Sequence, residues 1–158
     1  MKEKTIEIPY YKTLTLCHVV LDYNGTIAKD GVLKDEVKAL LPQLCETYTV
    51  HVITADTFGS VKTQMQDFDV TVKVLQTDNH TAEKSAYIDV LYKTNCVALG
   101  NGNNDSHMLE NAELGIAILG DEGCATPTLL ASDITCKAIE DALALLLNEK
   151  RLIATLRK

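Results

Sequence analysis

Arginine is nearly missing from this chain of 158 residues: both copies, Arg151 and Arg157, lie near the C-terminus, and the formal net charge is −7. A nucleic-acid-binding surface needs a basic stripe, so that class of function is disfavoured. Any phosphate site in the body of the chain must then rely on lysine, backbone amides or a metal ion. Long apolar runs are missing too. None approaches the roughly 18 residues of a membrane span, and Met1-Lys2-Glu3-Lys4 is followed by no signal-peptide core. The chain is therefore expected to be soluble and cytoplasmic, with no membrane partner. No C-x-x-C pair occurs among Cys17, Cys45, Cys96, Cys124 and Cys136. Reduced core thiols are the expectation, in place of a zinc site or a disulfide frame. Repeats, low-complexity segments and linkers are absent as well, which predicts a single domain over residues 1–158, long enough to bury about 70% of its unfolded surface.

What is present is an alternation of short apolar runs and helical patterns. Thr5-Ile6-Glu7-Ile8 and Leu14-Thr15-Leu16 alternate in the manner of a hairpin, expected as an edge strand pair leading into a strand at 17–22. Val37, Leu40, Leu41 and Leu44 recur at helical spacing up to about Tyr48, and Val50-His51-Val52-Ile53-Thr54 follows as a second strand. A short helix around Val61, Met65 and Phe68, a strand at 70–75, a helix around Ala82 to Leu91 and a fourth strand at 96–99 come next. A fifth strand, Gly115-Ile116-Ala117-Ile118-Leu119, precedes a short helix near Thr128, the segment Asp133-Ile134-Thr135 and C-terminal helices from Ala138 to Leu156. Leu143, Leu145, Leu146 and Leu147 give these helices an apolar face, expected to pack on the sheet, with a homo-oligomer as the alternative. Strands alternating with helices at this spacing predict a Rossmann-like α/β sandwich: a mainly parallel sheet with helices on both faces.

The polar residues that end these strands are the candidates for chemistry. Leu21-Asp22-Tyr23-Asn24-Gly25-Thr26 places a carboxylate where a buried strand stops, the position at which open α/β sheets bind ligands. Thr54 ends the second strand, Ala55 and Asp56 follow it, and Lys84 lies in the first turn of the third helix. The fourth strand runs into Gly100-Asn101-Gly102-Asn103-Asn104-Asp105. Each residue has a plainer explanation taken singly: Asp22 as a turn residue, Thr54 as a strand end, Lys84 as a solvated helix residue, Asp105 as a helix cap. Right-handed crossovers, however, gather them on one rim, and together they supply a nucleophile, a hydroxyl, a cation and a carboxylate-lined metal position.

In that order the four segments resemble the motifs of the haloacid dehalogenase-like hydrolase superfamily, more narrowly the phosphorylation domain of P-type ATPases and its small soluble relatives. Thr54-Ala55-Asp56 looks like that group's Thr-Gly-Asp, Asn104-Asp105 through Ile118 is similar to its hinge region, and Ala131-Ser132-Asp133 looks like its Ala-Ala-Asp. The resemblance implies Mg²⁺-dependent phosphoryl transfer through a phosphoaspartate. Asp22 would be the nucleophile and Asn24 would hold the position beside it. Thr54 and Lys84 would bind phosphoryl oxygens, Thr26, Ala55 and Asp56 would contact substrate, and Asp22, Asn24, Asn101 and Asp105 would surround the metal.

Two positions depart from that pattern. Asn24 stands where phosphatases of the superfamily carry a second Asp, so acid–base help worth about 10²–10⁴ in rate is expected to be missing there. Asn101 replaces a metal-binding Asp, which predicts weaker Mg²⁺ affinity. The stretches from Asp22 to Thr54 and from Thr54 to Lys84 leave no room for a cap domain, a nucleotide-binding insertion or a membrane helix. A capless phosphohydrolase acting on a phosphorylated small molecule or a phosphoprotein is the expectation. A catalytically weak module that binds phosphate or Mg²⁺ is the alternative. Ala28-Lys29-Asp30-Gly31 is a candidate flap, His107 is expected on a helix surface, and His18, His51 and His80 show no metal-ligand spacing.

Overall fold

The structure is a computed structural model that describes residues 2–56 and 59–158. Six strands form the central sheet: β3 (His18–Asp22), β6 (Thr49–Thr54), β7 (Val70–Val74), β8 (Cys96–Gly100), β9 (Leu114–Ile118) and β10 (Ile134–Cys136). Their order is β10-β9-β8-β3-β6-β7, and every neighbouring pair is parallel. The chain runs outward from β3 through β6 to β7, then returns across β3 to build β8, β9 and β10. That reversal opens a crevice beyond the carboxyl ends of β3 and β8. The in-line register, with Leu21 opposite both Val52 and Leu99, brings Asp22, Thr54 and Gly100 to the same rim.

Alternate residues of each strand feed two cores, as a pleat with both faces covered requires. Val19, Leu21, Val52, Leu99 and Ile116 pack with α1 (Asp35–Thr47), α6 (Ile139–Leu147) and α7 (Glu149–Leu156). Val20, Ile53, Ala98 and Ala117 pack with α3 (His80–Val90) and α4 (Ser106–Asn111). Two further short helices, α2 (Ser60–Met65) and α5 (Thr126–Ala131), complete the layers. Of the apolar C-terminal face, Leu143 and Leu146 are fully buried within the chain, while Leu145 and Leu147 are half-buried against the same core. The five cysteines are free, and all but Cys124 are buried. No helix among the described residues is long and apolar enough to cross a membrane.

The N-terminal hairpin, β1 (Lys4–Ile8) with β2 (Lys12–Leu16), corrects the expectation of an edge pair: it is a separate two-stranded antiparallel sheet. Its buried face, Ile6, Ile8, Leu14 and Leu16, joins the core on the α7 side. Those four side chains are satisfied by packing, so the hairpin needs no ladder with β7 or β10. The sixth strand is the other addition. Three residues give too short a pattern to distinguish from a loop, and what fixes β10 is Asp133, whose carboxylate accepts from the Gly115 N–H at 2.8 Å while its own N–H reaches the Gly115 carbonyl at 2.7 Å.

A histidine pair lies within the α3 layer. His51 on β6 is 5% exposed. Its Nε2 lies 3.0 Å from His18 Nδ1 and its Nδ1 lies 2.8 Å from the Tyr87 hydroxyl. Burial, then the neighbouring His18, pushes the His51 imidazole down to about 4. Below its ordinary value near 6.5 the unfolded chain takes up a proton that the folded protein refuses. Stability is therefore full above pH 6.5 and is lost as pH falls from there toward 4. The loss attributable to this residue is at most about 3 kcal/mol. Urea unfolding at pH 7 and pH 4.5 is expected to show a smaller acid loss in His51→Gln than in the wild type. Equal slopes in the two proteins would remove the assignment.

Candidate active site

The site begins with a turn. After β3 the chain folds back at once: the N–H groups of Thr26, Ile27 and Ala28 all point at the Tyr23 carbonyl, and the Gly25 N–H bonds the Ala28 carbonyl at 2.9 Å. Gly25 sits at φ +78°, and a Cβ there would lie 2.5 Å from the Asn101 amide nitrogen, so both backbone and space demand glycine. Beyond it, β4 (Ala28–Lys29) and β5 (Val32–Leu33) form the small flap, a two-stranded hairpin. The Tyr23 hydroxyl fastens it by donating to the Gly31 carbonyl at 3.0 Å.

A cavity of about 200 Å³ opens at the crevice, lined among others by Asp22, Asn24, Thr54, Ala55, Lys84 and Asn101. Residues from four separate strand ends and one helix thus converge, as the sequence predicts. Lys84 is the hub. It is 3% exposed, and its ammonium donates to Asp22 Oδ1 at 2.9 Å, Asp105 Oδ1 at 2.8 Å and Asn104 Oδ1 at 2.9 Å. The solvated reading of Lys84 is therefore wrong. Burial alone would lower its pKa, but Asp22 and Asp105 more than offset that and raise it, so the cation is permanent.

Asp22 is pulled in opposite directions. Burial, then the Asp105 carboxylate, drives its acid form well above the usual carboxylate range, and Lys84 and the Thr26 hydroxyl only partly counter this. Thr26, itself buried, donates from one hydroxyl to both Asp22 Oδ2 at 3.2 Å and Asn101 Oδ1 at 3.1 Å. It stands behind the carboxylate and is not part of the cavity wall.

Asp105 differs from its expected place on the rim. It is fully buried: one oxygen receives Lys84, and the other receives the N–H groups of Asn101 at 3.1 Å and Gly102 at 2.9 Å. This carboxylate shapes the loop after β8, and Gly100 leaves it room, because a Cβ there would meet its carboxyl at 2.5 Å. Asp56 likewise turns away from the cavity. Its carboxylate accepts from the Ser60 hydroxyl at 2.6 Å and the Val61 N–H at 3.0 Å, at the start of α2, while its N–H donates to Thr54 Oγ1 at 3.0 Å. His107 is exposed, as expected.

Whether these residues suit a divalent ion can be judged from their donors. Among the described residues no three His, Cys, Asp or Glu side chains converge as a metal cluster. The oxygens at hand are hard ones: the Asp22 carboxylate, the Asn101 amide oxygen and the Asn24 main chain. Two buried carboxylates face a single ammonium, so ionising Asp22 leaves one negative charge that a bound cation would offset. Mg²⁺ is held in many sites by one or two carboxylates and several waters, so this donor set and charge surplus fit it.

Neighbours of known structure share this architecture. 3-Deoxy-D-manno-octulosonate 8-phosphate phosphatase from Moraxella catarrhalis, solved with magnesium, phosphate and the KDO sugar acid, superposes with TM-score 0.69 at 16% identity, over 90% of this chain and 94% of that one. A Legionella pneumophila protein described as a HAD superfamily (subfamily III A) hydrolase gives 0.70 at 14%, over 89% and 87%. The catalytic domain of the CPx-ATPase CopB-B gives 0.61 at 21%, over 74% of this chain and 46% of that one. The chain thus has the haloacid dehalogenase-like fold, with the strand-end carboxylate, lysine and threonine on its rim. In sequence it belongs to one family with the uncharacterized protein MJ0072 of Methanocaldococcus jannaschii, and it is similar to MJ0073 of the same organism. It is 46% identical to the former over 39 residues, 25% of this chain and 89% of that protein. Identity to the latter is 61% over 61 residues, 39% of this chain and just under two thirds, 66%, of that protein. No family model matches the chain.

Proposed function

We propose that this protein is a Mg²⁺-dependent phosphohydrolase whose nucleophile is Asp22. The observation that carries the reading is the Asp22 carboxylate at the end of β3, facing a cavity of about 200 Å³ with the Lys84 ammonium 2.9 Å away. The magnesium and phosphate bound by the Moraxella phosphatase support it by analogy of fold. An Asp22 oxygen attacks phosphorus, the bond to the leaving oxygen breaks, and water then cleaves the phosphoaspartate, which is covalent catalysis in two steps. Lys84 and Thr54 stand where they can hold the phosphoryl oxygens, with Ala55 beside them on the cavity wall. Asp22, the Asn24 carbonyl and Asn101 would hold Mg²⁺, which when bound neutralises charge on the transferring group.

The cavity of about 200 Å³ takes a phosphoryl group together with the nearest atoms of what carries it, so most of a larger substrate remains outside. A phosphorylated small molecule or a phosphoprotein fits equally. Asn24 is exposed at the cavity and cannot give or take a proton, which predicts slow turnover. Asn24→Asp is expected to speed hydrolysis of the phosphoenzyme by about 10-fold or more, read as the decay rate of ³²P-labelled protein after a chase. A decay rate no faster than wild type, in a folded variant, removes Asn24 from that position.

The test of the function itself is phosphate release from acetyl phosphate and an aryl phosphate, with Mg²⁺ and with chelator. Turnover that needs the metal is expected. A folded protein that binds Mg²⁺ but releases no phosphate is a binding module instead.

A further inference from the structure

Breaking a phosphate ester leaves an alkoxide, and some group must hand it a proton. Of the described residues that line the cavity, only Asp22, Lys84 and His80 carry side chains with an acid or base group. Asp22 is the nucleophile. Lys84 is fixed as a cation by three hydrogen bonds. The three asparagines, Asn24, Asn101 and Asn104, cannot serve.

We infer that His80 is the proton donor to the leaving group. This rests on the phosphohydrolase reading and adds a catalytic residue to it. His80 opens α3, and Lys84 follows it by one turn on the same face, so the backbone of His80 lies about 6 Å nearer the N-terminal end of the helix than that of Lys84. In an in-line attack the phosphorus sits about 3 Å above the Asp22 oxygen and the leaving oxygen lies beyond it. His80 lines the same cavity as Asp22.

Its backbone is well held. The Asn79 side chain caps α3 through the Ala82 N–H at 3.1 Å, and Glu83 receives the N–H groups of Gln76 and Thr77 together with the Thr77 hydroxyl. The imidazole, half-buried, makes no hydrogen bond or ion pair with any described residue. A ring on a well-held backbone, with no partner among the described residues and lining the same cavity as the nucleophile, is available to the substrate.

The steps balance. The Asp22 O–P bond forms, the P–O bond to the alcohol breaks, and the leaving oxygen takes both the electron pair and a ring N–H proton from the imidazolium. Water then attacks the phosphoaspartate and gives its proton to the now neutral ring while the Asp22 oxygen departs. Ester and water become alcohol and phosphate, and His80 is restored.

The experiment is a leaving-group series with wild type and His80→Gln, from acetyl phosphate through aryl phosphates to glycerol phosphate, beside circular dichroism of both proteins. Acetate and acidic phenols leave without a proton, whereas an alkoxide does not. His80→Gln is expected to lose about threefold on acetyl phosphate and about 10²-fold or more on glycerol phosphate, with a steeper dependence on leaving-group basicity. An equal loss on every substrate would make His80 a binding or packing residue, and no loss on glycerol phosphate would make it a bystander; either overturns the proposal. Wild-type turnover of acetyl phosphate without turnover of alkyl esters overturns it while leaving the phosphohydrolase intact. No turnover of acetyl phosphate at all takes both down.

Discussion

Asp22→Asn is expected to lower phosphate release by on the order of 10⁴ or more and, in the same sample, to raise the thermal midpoint in chelator at pH 8. The first effect follows from chemistry, since an amide does not attack phosphorus. The second follows from the charge count, because burial and Asp105 hold the Asp22 acid well above its ordinary range. The folded protein therefore keeps a proton that the unfolded chain has already released. Ionising Asp22 then costs stability as pH rises through its folded value, and above that value the whole cost is present. Asparagine carries no such cost, and Lys84 keeps Asp105 as a partner at 2.8 Å. The advantage of the variant should be greatest at pH 8 and fade toward pH 4, with each kcal/mol relieved worth about 2–4 °C. Calorimetry of both proteins at pH 8 and pH 5 reads this directly, and the acid loss from His51 is common to both and cancels. A variant less stable than wild type at pH 8 would show that the carboxylates are better compensated than the geometry indicates.

Lys84→Met has the opposite sign and the largest effect on the fold. Removing the ammonium leaves Asp22 and Asp105 buried with no cation between them, a change that in other proteins costs about 3–5 kcal/mol. The expected result is that much loss in urea unfolding at pH 8, together with loss of activity. Adding Asp105→Asn should recover part of the stability, because an amide oxygen still accepts the N–H groups of Asn101 and Gly102 while one buried charge is gone. Stability unaffected by Lys84→Met would mean that water reaches the carboxylates. Full stability with activity abolished would confine the lysine to chemistry.

Much of the site was legible before any coordinates because a parallel strand writes its own ending. Short, largely apolar runs followed by Asp22, by Thr54 or by Gly100-Asn101 mark points where the chain leaves the sheet at the crevice side. Lys84 was legible as a position and not as an environment. A helical pattern of modest amphipathicity does not disclose that a lysine points inward, and the carboxylates that receive it lie 62 and 21 residues away. Asp105 and Asp56 read as rim carboxylates, whereas Asp105 is buried between Lys84 and two backbone N–H groups and Asp56 is turned to the start of α2, since a residue type does not specify which way its oxygens face. Metal-ligand spacing does not single out His80. Its place four residues before Lys84 was the signal that could have found it.

Pattern and punctuation along the chain therefore determined which segments are strands and helices, that the sheet is parallel, and which residues reach its carboxyl edge, because all of these are local consequences of burial and crossover handedness. The tertiary structure alone decided the strand order β10-β9-β8-β3-β6-β7, the independence of the N-terminal hairpin, the burial of Lys84 between two acids and the histidine pair behind the sheet. These depend on contacts between segments far apart in sequence, where packing and charge compensation in three dimensions override what any window of neighbouring residues can express.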